Sequence, residues 1–269
     1  MTGNTNSRQT NNINVNTYFH IVIADTNLLT GEIETVGNIS DTDVINQLQV
    51  LNDSFRQSGF TFSLMGTTRT INSDWYYNDE LGMKAALRVG DASTLNIYFT
   101  YSRGTIGSAT YPWNYAQVPL YDGVVVVSYS IPGGDSVRYG EGKTAVHEVG
   151  HWLGLFHTFE LDVNEISLLP RFFKVFELDV NNFLKYDSLL SRFGERVNCW
   201  YNNDKIQDTP RQRSPTFGCP IGRNSCGLSS GLDPIHNYMD YSDDKCYTEF
   251  TSGQMSRMKA LWNEYRATS

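Results

Sequence analysis

The sequence predicts an α+β protein, and three features carry that prediction. In the first half, strand-like apolar segments at residues 13–23, 60–70, 94–101 and 124–127 alternate with two stretches of helical periodicity. At the middle, HEVGHWLGLFH, His147 to His157, reads as a helix ended by a glycine. All four cysteines lie in the last third, ahead of a closing helical stripe from Thr251 to Arg266.

In chain order, residues 1–12 are polar and Asn/Thr-rich and read as a disordered lead-in. INVNTYFHIVI, 13–23, alternates and then turns continuously apolar, as a partly buried strand does, with His20 satisfied inside the sheet. Ser40 or Asp41 caps a backing helix with Val44, Ile45, Leu48, Leu51 and Phe55 at helical spacing and Gly59 closing it. A strand follows at 60–70, a helix from Asp79 to Val89, and a strand at 94–101. GSATYPW, 107–113, reads as an edge strand stopped by Pro112, and VVVV, 124–127, as a buried central strand. Gly142-Lys143-Thr144 imitates a phosphate loop, but Val137 stands where that loop needs glycine; these residues open the histidine helix instead. Trp152, Leu153, Leu155 and Phe156, and later Met255, Met258, Leu261, Trp262 and Tyr265, read as core.

At 269 residues, 40% hydrophobic and 13% aromatic, the chain can bury a sizeable core in one or two domains. A net charge of −8 leaves no excess of cations to displace counterions, so nucleic acid is excluded as a partner. No run of eighteen apolar residues offers a transmembrane helix, so no membrane partner is expected either. Four cysteines without a CxxC allow three disulfide pairings and argue against a thiolate zinc site; if paired, they point to an oxidising compartment, hence secretion. Sequons at Asn38 and Asn52 agree weakly with that. The opening MTGNTNSRQTNNINVN is not a signal peptide, which makes the sequence a mature form or a truncated gene model, with a cytosolic enzyme as the competing reading.

The central stretch carries the chemistry. Four residues apart on a helix, His147 and His151 share a face and can converge on one metal ion. Glu148 points about 100° around the helix, away from the ligands but near a water bound beside them. Gly154 allows the turn that swings His157 back as a third ligand. Three of the chain's five histidines thus fall within eleven residues at ligand spacing. Three neutral imidazoles leave a zinc ion its full charge and one open position, where a bound water's pKa falls to about 7.

This pattern, HExxHxxGxxH, resembles the metzincin metallopeptidases at His147, Glu148, His151, Gly154 and His157. HNYMDY, 236–241, supplies Met239 for the methionine turn of that family. The text DPIHNYMDYSDDKCYTEFTSGQMSRM, with ATYPW and DGVVVV upstream, is similar to the pappalysin-type group that includes the cytophagalysins, over most of residues 13–266. The resemblance implies a single catalytic domain, 13–269: an upper subdomain, 13–154, with a twisted mixed sheet, backing helix and active-site helix, and an irregular disulfide-bonded lower subdomain, 155–269, with a C-terminal helix. It further implies bridges Cys199–Cys226 and Cys219–Cys246, an edge strand that pairs with extended substrate, and Met239 as an apolar floor. Tyr241 would stabilise the oxyanion and Asp243 and Asp244 wall the pocket after the scissile bond, favouring a basic residue there. DTP, 208–210, resembles a family segment where calcium is sometimes bound, which makes Asp204 and Asp208 candidate calcium ligands, with solvated loop aspartates as the competing reading.

The implied function is a secreted zinc endopeptidase with Glu148 as general base, one catalytic zinc ion, a peptide or protein substrate and a monomeric state. The alternative is a catalytically silent, zinc-stabilised binding domain. One departure from the family motivates it. FELDVN at 159–164 recurs at 176–181, and FGERVN at 193–198 is a degraded third start, so an insertion of about thirty residues, roughly 160–193, follows the third histidine. A tandem duplication or a mispredicted exon is favoured over a functional exosite loop; in either case it can obstruct or extend the groove.

Overall fold

The computed structural model describes residues 12–25, 36–101, 104–160, 199, 204–227 and 231–267. The expected lead-in, apart from Asn12, and the insertion beyond Glu160 lie outside them. The chain forms two compact units, Met1–Leu153 with Ala260–Ser269, and Gly154–Lys259.

The first unit is built on a five-stranded sheet: β1 (Ile13–Ile23), β2 (Phe60–Ile71), β3 (Leu95–Thr100), β4 (Gly107–Ala109) and β5 (Val124–Val127). Their order is β2-β1-β3-β5-β4, parallel throughout except for β4, which runs antiparallel to β5. Parallel strands are covered on both faces, which is why β3 and β5 read as unbroken buried runs. Between Thr17 and Tyr18 the β1–β2 register slips past Met65. His20 is fully buried, its Nδ1 2.9 Å from Thr68 Oγ1 and its Nε2 3.0 Å from Asn96 Oδ1, and burial lowers its pKa.

Helix α1 (Asp41–Phe55) starts where Ser40 Oγ accepts the Asp43 N–H at 3.2 Å, and the chain leaves it through a 3₁₀ turn into Gly59 at φ +80°. A short helix absent from the periodicity, α2 (Ser73–Tyr77), is capped by Asn72, and α3 (Glu80–Leu87) by Asp79. The edge strand is only three residues long, because Pro112 turns the chain into a 3₁₀ segment, Pro112–Asn114. Of the two sequons, Asn38 is exposed, whereas the Asn52 amide nitrogen donates to Leu48 O and Phe62 O.

The second unit has little regular structure among its described residues. Disulfides Cys199–Cys226 and Cys219–Cys246 span it. Asp240, wholly buried, accepts from Gln212 Nε2 and the Thr216 N–H through Oδ1 and from Ser242 through Oδ2. Asp233 likewise holds Arg223 and the Ser225 N–H. Phe156, expected in the core, is only half-buried: the Arg257 and Lys205 cations lie over its ring and cover it with polar groups.

The last helix, α5 (Ser252–Leu261), widens into a π turn, Trp262–Arg266. That turn alters the expected stripe. Met258 and Trp262 are buried, but Tyr265 is exposed and Arg266 takes the inward place.

Candidate metal centre

Helix α4 (Lys143–Trp152) follows Gly142, whose φ of +78° lets the chain turn sharply into the helix, and is buried from Thr144 onward. Four residues apart, His147 and His151 bring their Nε2 atoms within 3.1 Å of each other. Gly154, at φ +95°, turns the chain out of the helix. His157 then completes a cluster whose ligand atoms all lie within 4.8 Å of one another.

Glu160 Oε2 holds the third ring in place, 3.1 Å from His157 Nδ1 and accepting the His157 N–H at 3.2 Å. Phe159 stacks on His157 at 4.8 Å, and Tyr241 meets it edge-on at 5.0 Å. On His151, Tyr111 packs edge-on at 5.5 Å and His147 at 4.7 Å.

Met239 is fully buried, and its carbonyl accepts the Thr158 N–H at 3.2 Å, so the methionine turn is tied to the residue after the third histidine. Asn237 shapes that turn: its Oδ1 accepts the Met239 N–H at 3.0 Å while its amide pairs reciprocally with Gln254. His236 Nδ1 lies 2.6 Å from Cys246 O and pins the turn, outside the histidine cluster.

Glu148 is buried, and burial alone pushes its carboxyl up to about 8. It packs against the start of β4 so closely that a Cβ on Gly107 would stand 2.7 Å from Glu148 Cγ and Oε1. Only glycine fits there without moving the carboxylate. Among the other expected site residues, Asp243 and Asp244 are both buried, and Asp243 Oδ1 accepts the Gly218 N–H. Asp204 accepts from Thr209 Oγ1 and the Ile206 N–H, and Asp208 from Thr251 Oγ1 and the Gly253 N–H, where it caps α5.

The donor set fits zinc. Two nitrogens ~2.0–2.1 Å from one tetrahedral ion stand roughly 3.3–3.4 Å apart, close to the spacing of the two Nε2 atoms, and three neutral imidazoles make an open catalytic site and not a closed structural one.

No family model matches the chain. Curated relatives do. An extracellular metalloprotease of Sordaria macrospora is 39% identical over 262 residues, 96% of this chain and 77% of the relative. Another, of Colletotrichum graminicola, is 40% identical over 262 residues, 95% of this chain and 78% of the relative. The chain belongs to the extracellular metalloprotease family. Among solved structures, mature mirolysin of Tannerella forsythia in complex with a cleaved peptide is 25% identical, with a TM-score of 0.69 over 95% of this chain and 98% of that one. A mutant of promirolysin from the same organism is also 25% identical, with a TM-score of 0.68 over 95% of this chain and 82% of that one.

This metalloprotease is thus a zinc metalloendopeptidase of the metzincin type with the mirolysin fold. These relatives favour the enzyme over a silent binding domain. Sequence reasoning missed Glu160, Gly107 and Tyr111. Glu160 had a visible signal, a carboxylate three residues past the last histidine, but it sits in the repeated FELDVN and was absorbed there. Gly107 and Tyr111 lie in the GSATYPW stretch read as an edge strand, but their contacts with α4, which give them their part in the site, leave no local signal.

Proposed function

We propose that the chain is a secreted endopeptidase in which His147, His151 and His157 hold one zinc ion and Glu148 is the general base. The observation that carries this reading is the convergence of the three ring nitrogens, with the Glu148 carboxyl buried on the same helix. When bound, zinc supplies a Lewis acid and makes a nucleophilic water available near neutral pH. Glu148 takes a proton from the attacking water and delivers it to the leaving amine. A carboxyl held high by burial must be ionised to act as a base, so its deprotonation is coupled to the positive charge beside it.

Glu160 engages His157 Nδ1 and so assigns Nε2 to the metal. Met239 is the apolar floor, a role supported by its complete burial and its bond to Thr158. The exposed phenol of Tyr241, whose ring touches His157, serves the oxyanion. As the edge of the sheet, β4 adds an extended substrate as a further strand. Asp243 and Asp244, two buried carboxylates in succession, give the pocket after the scissile bond its preference for lysine or arginine. The catalytic domain is 13–269; the first compact unit, which also takes in Ala260–Ser269, answers to the subdomain expected at 13–154, and the second to most of that expected at 155–269. Calcium at Asp204 and Asp208 rests on residue type and on the family likeness of DTP, 208–210; both carboxylates also accept local hydrogen bonds.

The test is a mass-spectrometric cleavage profile of a mixed peptide library, with native protein, Glu148→Ala and Asp244→Ala side by side and zinc content measured in each. All three should carry zinc. Native protein should cleave before basic residues, Glu148→Ala should be slower by about 10²–10⁴-fold, and Asp244→Ala should cleave without that preference. Zinc-loaded native protein that cleaves nothing would sink the peptidase assignment.

A further inference from the structure

The π turn Trp262–Arg266 carries a wholly buried cation that the reaction does not use. Arg266 Nε donates to Trp152 O, the last residue of α4, at 2.9 Å. Its Nη1 and Nη2 pair bidentately with Asp122 Oδ2 and Oδ1 at 3.2 and 3.1 Å, and Nη1 also donates to Ala92 O. The guanidinium lies 3.6 Å from the centre of the Trp152 indole, and Trp152 Nε1 itself donates to Asp122 Oδ2 at 3.2 Å. Burying both charges costs solvation, so a simple apolar plug would fill this space more cheaply.

What the pair offers in return is direction. Asp122 Oδ1 accepts from Thr110 Oγ1 at 2.7 Å, and Thr110 Oγ1 accepts the Gly123 N–H at 2.9 Å. Trp152 is the covalent neighbour of His151, and Thr110 that of Tyr111, whose edge meets the His151 ring. Tyr265 adds a third path: it meets Trp113 edge-on at 6.5 Å, and Trp113 stacks on Tyr111 at 4.6 Å. Thr110 also follows the end of β4, the strand whose first residue abuts Glu148.

We propose that the Arg266–Asp122 pair is a positioning device that fixes His151 from both sides, through Trp152 on the helix and through Thr110 and Tyr111 on the edge strand. Arg is required because a planar fork is needed to hold the two Asp122 oxygens and the Trp152 carbonyl at once while stacking on the indole; a lysine ammonium can do one of these. The inference rests on the reading of His151 as a zinc ligand, and supporting groups of this kind alter metal affinity and activity by roughly 10–100-fold.

The test uses the zinc-loaded protein. Native, Arg266→Lys and Thr110→Val forms are compared for the rate of zinc release to a chelator, kcat, KM and thermal midpoint. Arg266→Lys is expected to release zinc roughly tenfold faster and to lose ten- to a hundredfold in kcat with KM within about threefold. Thr110→Val, which cuts a single strand of the network, should move zinc release and kcat the same way by a smaller factor. A lowered thermal midpoint in Arg266→Lys with native zinc release and native kcat would reduce the pair to scaffolding and overturn the proposal. If Arg266→Lys fails to fold, native behaviour of Thr110→Val overturns it equally. Absence of zinc from the native protein would instead refute the ligand reading, a separate outcome.

Discussion

The two compact units hold themselves together by different means. In the first, the inner strands β3 and β5 are buried along their whole length, so apolar burial and the backbone ladder carry the structure. In the second, side chains replace the ladder: Gln212, Asp233, Asn237 and Asp240 hold backbone and side-chain groups in place, and two disulfides close the loops. Regular secondary structure satisfies backbone groups from within the backbone, whereas an irregular segment must satisfy them with specific residues. A single substitution should therefore cost more specificity of shape in the second unit and more apolar burial in the first.

Reduction gives the largest expected break in this comparison. Each bridge has a sequence separation of 27, and loop closure of that size is worth about 3–4 kcal/mol per bridge. Amide exchange after reduction should show lost protection in residues 204–259 with β1, β3 and β5 still protected. Simultaneous loss in both would mean that the two units do not differ as described.

Next in size is the metal-free protein's response to pH. Glu148 has a folded-state pKa of about 8 against 4.5 unfolded, so the folded state binds more protons between these values and stability falls as pH rises through them. The penalty is absent below about pH 4.5 and complete above about 8, where it amounts to roughly 4–5 kcal/mol. Metal-free Glu148→Gln should match the native protein near pH 4 in denaturant titrations and exceed it by that order near pH 9. Parallel curves would show that apolar wrapping of this helix does not act on the carboxyl.

The smallest of the three is Asp240→Asn. It keeps one acceptor and loses the other from a residue holding Gln212, Thr216 and Ser242, at a cost of about 1–3 kcal/mol. Urea unfolding should register it, and a neutral result would mean that the polar network is redundant.

Legibility in the sequence follows the same divide. Strands 13–23 and 124–127 and the capped helix from Asp41 could be read because a period of two or of 3.6 is imposed locally by burial on one face or two. The histidine cluster was legible because its ligands sit within eleven residues of one helix and turn. Arg266 was not, since its partners Asp122, Ala92 and Trp152 are far off in sequence and a π turn moves it inward, out of phase with the stripe. α2 escaped notice because at five residues it is too short to show a period, and its cap, Asn72, is equally a turn residue. Residues alone left three disulfide pairings open; the two observed bridges depend on how distant loops meet.

Those bridges overlap in sequence, 199 to 226 and 219 to 246. A backbone cut at any bond between Cys199 and Cys246 therefore leaves both pieces joined by at least one bridge. For an enzyme that meets other copies of itself at high concentration, autolysis in this region yields nicked molecules, not severed ones: a single band on a gel without reductant, and fragments once reductant is added.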